Sequence, residues 1–180
     1  MNPVLPCDLP PQALLRRYGR DGGFVDCFSV MLPRPVTQAE YVQAFYTTGL
    51  FKLERAVLTL AGHPAGDEQA RRLGRGEAHE FAAWQVEARE PDQLLLADMS
   101  GRTRSWLMCE PQPAPGAAST RLYFGSAIVP KRGRDGQPTL GWGFHALLGF
   151  HTWYSKALLK AAHARLALRQ PDLMQQRPTG

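Results

Sequence analysis

The chain alternates between two hydrophobic periods. Residues 23–33, GFVDCFSVMLP, have a period of two. Phe24, Phe28 and Val30 fall on one side, and Val25, Cys27 and Met31 on the other, which predicts a strand that is apolar on both faces. A helical period follows. Thr37 and Glu40 stand at the N-cap and N3 positions of a capping box, with Val36 and Tyr41 placed as a hydrophobic staple, and this helix runs to about Thr48. After Gly49, the stripe Leu50, Leu53, Val57, Leu60 and Ala61 predicts a second helix that Gly62 ends. The segment DEQARRLG, with Asp67 as N-cap and Gly74 as stop, predicts a short third one.

From residue 77 the period returns to two. In AAWQVEARE, Ala82, Trp84, Val86 and Ala88 share one face, and Gln85, Glu87 and Arg89 share a solvated back. LLLADM, RSWLMCE and TRLYFGSAIVP follow, separated by PDQ, SGR and PQPAPGAAS, so an antiparallel meander is expected. If Pro91-Asp92 is the tip of a two-residue hairpin, Ala88 faces Leu95, Val86 faces Ala97 and Trp84 faces Met99, because directly paired residues point to one face. Leu95, Ala97 and Met99 then point inward and Asp98 outward. Carried through the turn at Ser100-Gly101, the same register puts Trp106, Met108 and Glu110 inward and Cys109 on the back. The last strand favours Leu122, Phe124, Ser126 and Ile128 inward.

The final pattern is a helix from residue 143, GFHALLGFHTWYSKALLK onward, about 26 residues or ~39 Å long. Phe144, Leu147, Leu148, Tyr154, Leu158, Leu159 and Ala162 share one side; His145, Lys156, Lys160 and His163 share the other. His151 falls within the apolar side, one turn before Ser155.

Composition narrows the classes. The 180 residues are 44% hydrophobic and 21% charged, a globular balance in one chain of ordinary domain size. The three cysteines have no metal-type spacing, no secretory leader is legible at the start, and no apolar run reaches membrane-spanning length, so a cytoplasmic protein is expected. The net charge of +5 is dispersed over several arginine-bearing loops with no nucleic-acid motif beside them, so nucleic acid is not an expected partner. Walker A, G-x-G-x-x-G and H-E-x-x-H motifs are absent from the sequence, and neither cofactor nor metal is expected. Residues 1–22 read as an irregular leader, 23–168 as one domain and 169–180 as a flexible tail.

The order strand, helices, antiparallel meander and long C-terminal helix resembles the START-like, or SRPBCC, helix-grip superfamily. That superfamily includes birch-pollen-allergen-like proteins, lipid-transfer START domains and the polyketide cyclase/dehydratase group. FVDCFSV, AFYTTGLFKLERAVL, WLMCEP and LGFHTWYSKALL are similar to an uncharacterised bacterial branch of it. The resemblance implies an α+β fold: a curved antiparallel sheet wrapped around a long C-terminal helix, with two or three short helices after the first strand. The strands legible between residues 77 and 130 are few, which suggests a sheet smaller than usual. The resemblance also implies a hydrophobic cavity between sheet and helix. Its candidate lining is Trp84, Val86, Met99, Trp106, Met108, Glu110, Phe124 and Ser126 from the sheet, with His151, Tyr154 and Ser155 from the helix. Binding of a hydrophobic small molecule ranks first, since apolar walls with a few convergent polar groups are what such pockets require. An enzyme of the cyclase or dehydratase kind, with His151 as base and Glu110 as acid or orienter, ranks second. A filled core acting through a partner protein ranks third.

Overall fold

The computed structural model describes residues 2–19, 23–60, 62–113, 118–132, 138–139 and 142–168, with side chains described for all of these except 54, 56–58, 60, 131–132, 138–139 and 142–151. The C-terminal segment 169–180 lies outside the described residues.

Seven strands form one antiparallel sheet in the order β1-β2-β7-β6-β5-β4-β3. They are β1 (Leu5–Pro6), β2 (Phe24–Leu32), β3 (Glu80–Phe81), β4 (Trp84–Glu90), β5 (Gln93–Asp98), β6 (Thr103–Gln112) and β7 (Ser119–Ile128). A two-stranded ribbon, β8 (Lys131–Arg132) with β9 (Pro138–Thr139), precedes the last helix. The helices are α1 (Gln38–Tyr46), α2 (Gly49–Leu60), α3 (Asp67–Gly74) and α4 (Trp142–Leu168). This α+β arrangement, a curved open sheet with short helices after the first long strand and a long helix at the end, is consistent with a helix-grip fold. The sheet is larger than its sequence suggests, because short strands at both ends extend the meander.

Both faces of the sheet are buried. On the helix face, Phe28, Val30, Leu94, Leu96, Leu107, Cys109, Leu122 and Phe124 pack against α1 and α4. On the outer face, Cys27, Leu95, Trp106, Met108, Tyr123 and Ala127 pack against Ala13 and Leu15 of the N-terminal segment. That segment carries β1 and a 3-10 helix, Leu14–Gly19, and covers the back of the sheet. The two-sided apolar pattern of residues 24–31 has its cause here.

The α1 capping box is present. The Glu40 N–H donates to Thr37 Oγ1 at 3.2 Å, and the Thr37 N–H donates to Glu40 Oε2 at 2.8 Å. Helix α1 is fastened to the sheet by polar side chains in its buried face: Tyr41 donates its hydroxyl to the Tyr123 carbonyl at 3.0 Å, and Gln38 Nε2 donates to the Leu107 carbonyl at 3.1 Å. In α2, Leu50 packs against the core and Phe51 is buried, whereas Leu53 of the expected stripe is exposed; the side chains of Val57 and Leu60, and residue 61, lie outside the described residues. Asp67 is not the cap of α3; that position is Gly66, which makes no side-chain cap bond, and Asp67 instead pairs with Lys52 and Arg55, both at 2.8 Å. Gly74 lies inside α3, where it lets the helix approach α1: a Cβ there would sit 2.7 Å from the Ala39 carbonyl oxygen.

The predicted register fails at one residue. Ala88 does pair with Leu95, but a β-bulge between Val86 and Ala88 then pairs Val86 with Leu96 and Trp84 with Asp98. The additional residue, Glu87, flips the alternation. Trp84 and Val86 therefore pack on the helix face, while Ala88, Leu95, Trp106 and Met108 stay together on the outer one. The expected inward placement of Trp106, Met108 and Glu110 is thus reversed, and Cys109 faces the helices. Ala82 and Ala83 are the turn between β3 and β4, with Ala82 at φ 52°, rather than part of the strand. His163, expected on the exposed side of α4, is buried, and its Nε2 donates to the Met31 carbonyl at 3.2 Å. Lys156 of the same side also lies against β2, its Nζ 5.4 Å from the Phe28 ring centre, while Lys160 is exposed as expected. The helix ends under Arg34, whose guanidinium donates to the Leu166 carbonyl at 3.0 and 3.3 Å, a cation on the otherwise orphaned C-terminal acceptors.

Candidate functional site

Between the sheet and α4 lies a cavity of about 170 Å³. Its floor is Trp84 from β4, Ser105 from β6, and Phe124 and Ser126 from β7; Tyr154, Ser155 and Leu158 of α4 roof it. Phe45 of α1 and Phe51 of α2 close one side. The rings of the walls support one another. Phe45 and Phe124 have centroids 4.8 Å apart, and Tyr46 stacks edge-on against Phe51 at 4.9 Å.

Three serine hydroxyls are placed within this apolar shell. Ser105 and Ser126 are cross-strand partners, so both project to the helix face. Ser105 Oγ lies 3.2 Å from the Tyr46 hydroxyl. Ser126 donates its hydroxyl to Asp26 Oδ1 at 2.6 Å, and its backbone N–H reaches the same oxygen at 3.0 Å. Ser155 is buried in the roof. Hydroxyls of this kind both donate and accept, so the cavity can orient a ligand bearing a hydroxyl or carbonyl group. Thr103 and Arg104 complete the lining at the sheet end. The Arg104 guanidinium is engaged with Glu87 and Tyr18.

Of the residues expected in the cavity, Trp84, Phe124, Ser126, Tyr154 and Ser155 line it. Val86 packs on the same side without reaching the lining. Met99 is 60% exposed at the β5–β6 turn, because the bulge shifts Trp84 onto Asp98 instead. Trp106 and Met108 lie on the outer face under Ala13 and Leu15. Glu110 is on that outer face too, paired across the ladder with Arg121, and its carboxylate accepts from the Tyr123 hydroxyl and from Gln112 Nε2, each at 2.8 Å. Burial, with this donation to Glu110, pushes the Tyr123 phenol up to about 12. His145 and His151 belong to α4, but their side chains lie outside the described residues. Phe45, Phe51, Ser105 and Leu158 were not singled out as site residues. Leu158 sits in the legible stripe of α4, and Ser105 would have been found once the strand parity was right.

Among the described residues no group of three His, Cys, Asp or Glu side chains is arranged to hold a metal ion, and no helix is long and apolar enough to cross a membrane. Compared with known proteins, the chain matches no family model and no curated sequence.

Proposed function

We propose that the protein binds a compact, largely apolar small molecule in the cavity between the sheet and α4, as a carrier or sensor. The observation that supports this reading is the pairing of aromatic walls (Phe45, Trp84, Phe124 and Tyr154) with the buried hydroxyls of Ser105, Ser126 and Ser155 around one space. The resemblance of the element order to START-like, SRPBCC proteins points the same way, and the free state of Cys7, Cys27 and Cys109 goes with a cytoplasmic setting. Size sets the ligand class. An apolar cavity of ~150 Å³ accommodates benzene, so a space of about 170 Å³ suits a single ring carrying one hydroxyl or carbonyl. The cyclase or dehydratase alternative built on His151 and Glu110 needs both groups in one cavity, and Glu110 is on the other side of the sheet.

Phenol, cyclohexanone and cyclohexane are the test ligands, read by thermal shift and by amide chemical-shift perturbation. Phenol or cyclohexanone should saturate and raise stability by about 1.4 kcal/mol at ~10 times Kd, with perturbed amides at residues 105, 126 and 155. Ser155→Leu should fill the roof and abolish the effect while the protein remains folded. Absence of saturable binding by any of the three, or equal binding by Ser155→Leu, would overturn the reading.

A further inference from the structure

On the outer face of the sheet, away from the cavity, two cysteines stand opposite each other. Strands β1 and β2 pair with Leu5 against Ser29 and Pro6 against Phe28, which sets Cys7 against Cys27. The Cys7 N–H donates to the Cys27 carbonyl at 3.0 Å, the mark of a hydrogen-bonded antiparallel pair. Such a pair holds its Cα atoms about 5.5 Å apart, inside the 4.4–6.8 Å range a disulfide spans. The sulfurs are 3.4 Å apart as thiols. A disulfide holds its sulfurs ~2.05 Å apart, so the two side chains rotate toward each other to close it.

We infer that Cys7 and Cys27 form a redox-active dithiol that a hydroperoxide converts to a disulfide, fastening the N-terminal segment to the sheet. The two thiols are unequal. The Cys27 S–H hydrogen bond lowers the Cys7 thiol to about 7, helped by Ser29 and Arg121 against the opposing effects of burial and Asp8. The same bond, with burial and the Asp26 and Asp8 charges, raises Cys27. Cys7 is half-buried and lines a cavity of about 580 Å³ with Cys27, Asp8, Arg16 and Val25, which admits a small oxidant. Cys7 is the attacking thiolate and Cys27 the resolving thiol. In the first step the Cys7 sulfur attacks the peroxide, an S–O bond forms, the O–O bond breaks, and the leaving oxygen takes a proton to depart as water or alcohol. In the second step Cys27 attacks the Cys7 sulfenic acid, the S–S bond forms, the S–O bond breaks, and the Cys27 proton leaves with the hydroxide as water. The dithiol loses two electrons and the peroxide gains them. Cys109 takes no part: it is buried on the helix face, where burial pushes its thiol well up.

The test is intact-mass and peptide mass spectrometry of the full chain at pH 7, before and after hydrogen peroxide, with alkylation by iodoacetamide. In the untreated protein Cys7 should alkylate at least ~10-fold faster than Cys109. After peroxide the chain should lose the mass of two hydrogens, with Cys7 and Cys27 peptides joined within one chain and Cys109 still reduced. Cys27→Ser keeps a hydroxyl beside Cys7 and should accumulate a sulfenic acid there that dimedone traps. In Cys7→Ser, Cys27 should stay a thiol. Unjoined Cys7 and Cys27 peptides after peroxide, a bond only between two chains, or Cys7 reacting as slowly as Cys109 would each overturn the inference. The wild-type peptide map decides even if a variant fails to fold.

Discussion

The Trp106 indole N–H donates to Gln93 Oε1 at 2.9 Å, on the face of the sheet turned away from α4. The same oxygen accepts the Leu14 N–H at 3.0 Å, and Gln93 Nε2 donates to the Gln12 carbonyl at 3.1 Å. One buried amide thus joins the largest side chain of the outer core to the N-terminal segment that covers it. Gln93→Leu keeps the bulk and leaves the fully buried indole N–H without this acceptor. The expected loss is about 2–3 kcal/mol, measured by urea unfolding. A loss below ~0.5 kcal/mol would mean that the indole finds another acceptor.

Gly125 lies across the ladder from Trp106. A methyl group there would sit 2.8 Å from Leu15 Cδ2, 2.9 Å from the Asp26 carbonyl oxygen and 3.1 Å from Trp106 Cε3. The Asp26 oxygen is backbone and cannot yield cheaply. Gly125→Ala should cost about 1–3 kcal/mol in chemical denaturation while leaving small-molecule binding on the other face unchanged.

Thr37→Ala removes the hydroxyl from the α1 capping box, with an expected loss of ~1 kcal/mol. Part of this loss depends on pH. Burial works against the Glu40 carboxylate, but the bonds from Thr37 and the charge of Arg34 outweigh it and hold the carboxyl below its ordinary value. A depressed carboxylate stabilises the fold fully above its unfolded-state pKa of about 4.3 and loses that contribution as pH falls through the folded-state value. The gap between the melting curves of wild type and Thr37→Ala should therefore be widest at neutral pH and narrow, without closing, as pH falls below about 4.

Glu87, the bulge residue, binds Arg104, Tyr18 and Arg17 on the outer face. The Arg104 side chain is only 12% exposed, whereas that of Arg17 is 49% exposed. Glu87→Gln should cost about 1–2 kcal/mol, because it leaves a mostly buried guanidinium without its counter-charge. Arg17→Ala should cost less than ~0.5 kcal/mol. Equal losses in thermal melts would contradict this division.

What the sequence reveals and what it hides divide along physical lines. The capping box at Thr37 and Glu40 and the stripe Tyr154, Leu158, Leu159 and Ala162 are local patterns, and the structure keeps them. That Phe28 and Val30 share a side, and that Phe124 and Ser126 point inward, follow from a period of two and also hold. Trp84 and Trp106 were expected on one face because Glu87 reads as an ordinary outward residue, and nothing in its identity marks a bulge. Leu94, Leu95 and Leu96 could not arbitrate, since a run apolar at every position fits either parity. The cover of Ala13 and Leu15 has no period of its own. Its trace in the sequence is indirect: Val25 and Cys27 give the first long strand an apolar back that needs burying.

The strands that border the sheet are its shortest. Strand β1 is Leu5–Pro6 and β3 is Glu80–Phe81, each two residues long. An edge of that length exposes almost no run of unpaired backbone groups, and Pro6 has no N–H to offer. Along these two-residue borders a foreign β-strand finds little template on which to register. Strand β7 is paired along its length by β2 and β6, and the other side of β2 is met by β1 at Phe28 and Ser29. Stacking of copies into a continuous intermolecular sheet is thereby discouraged.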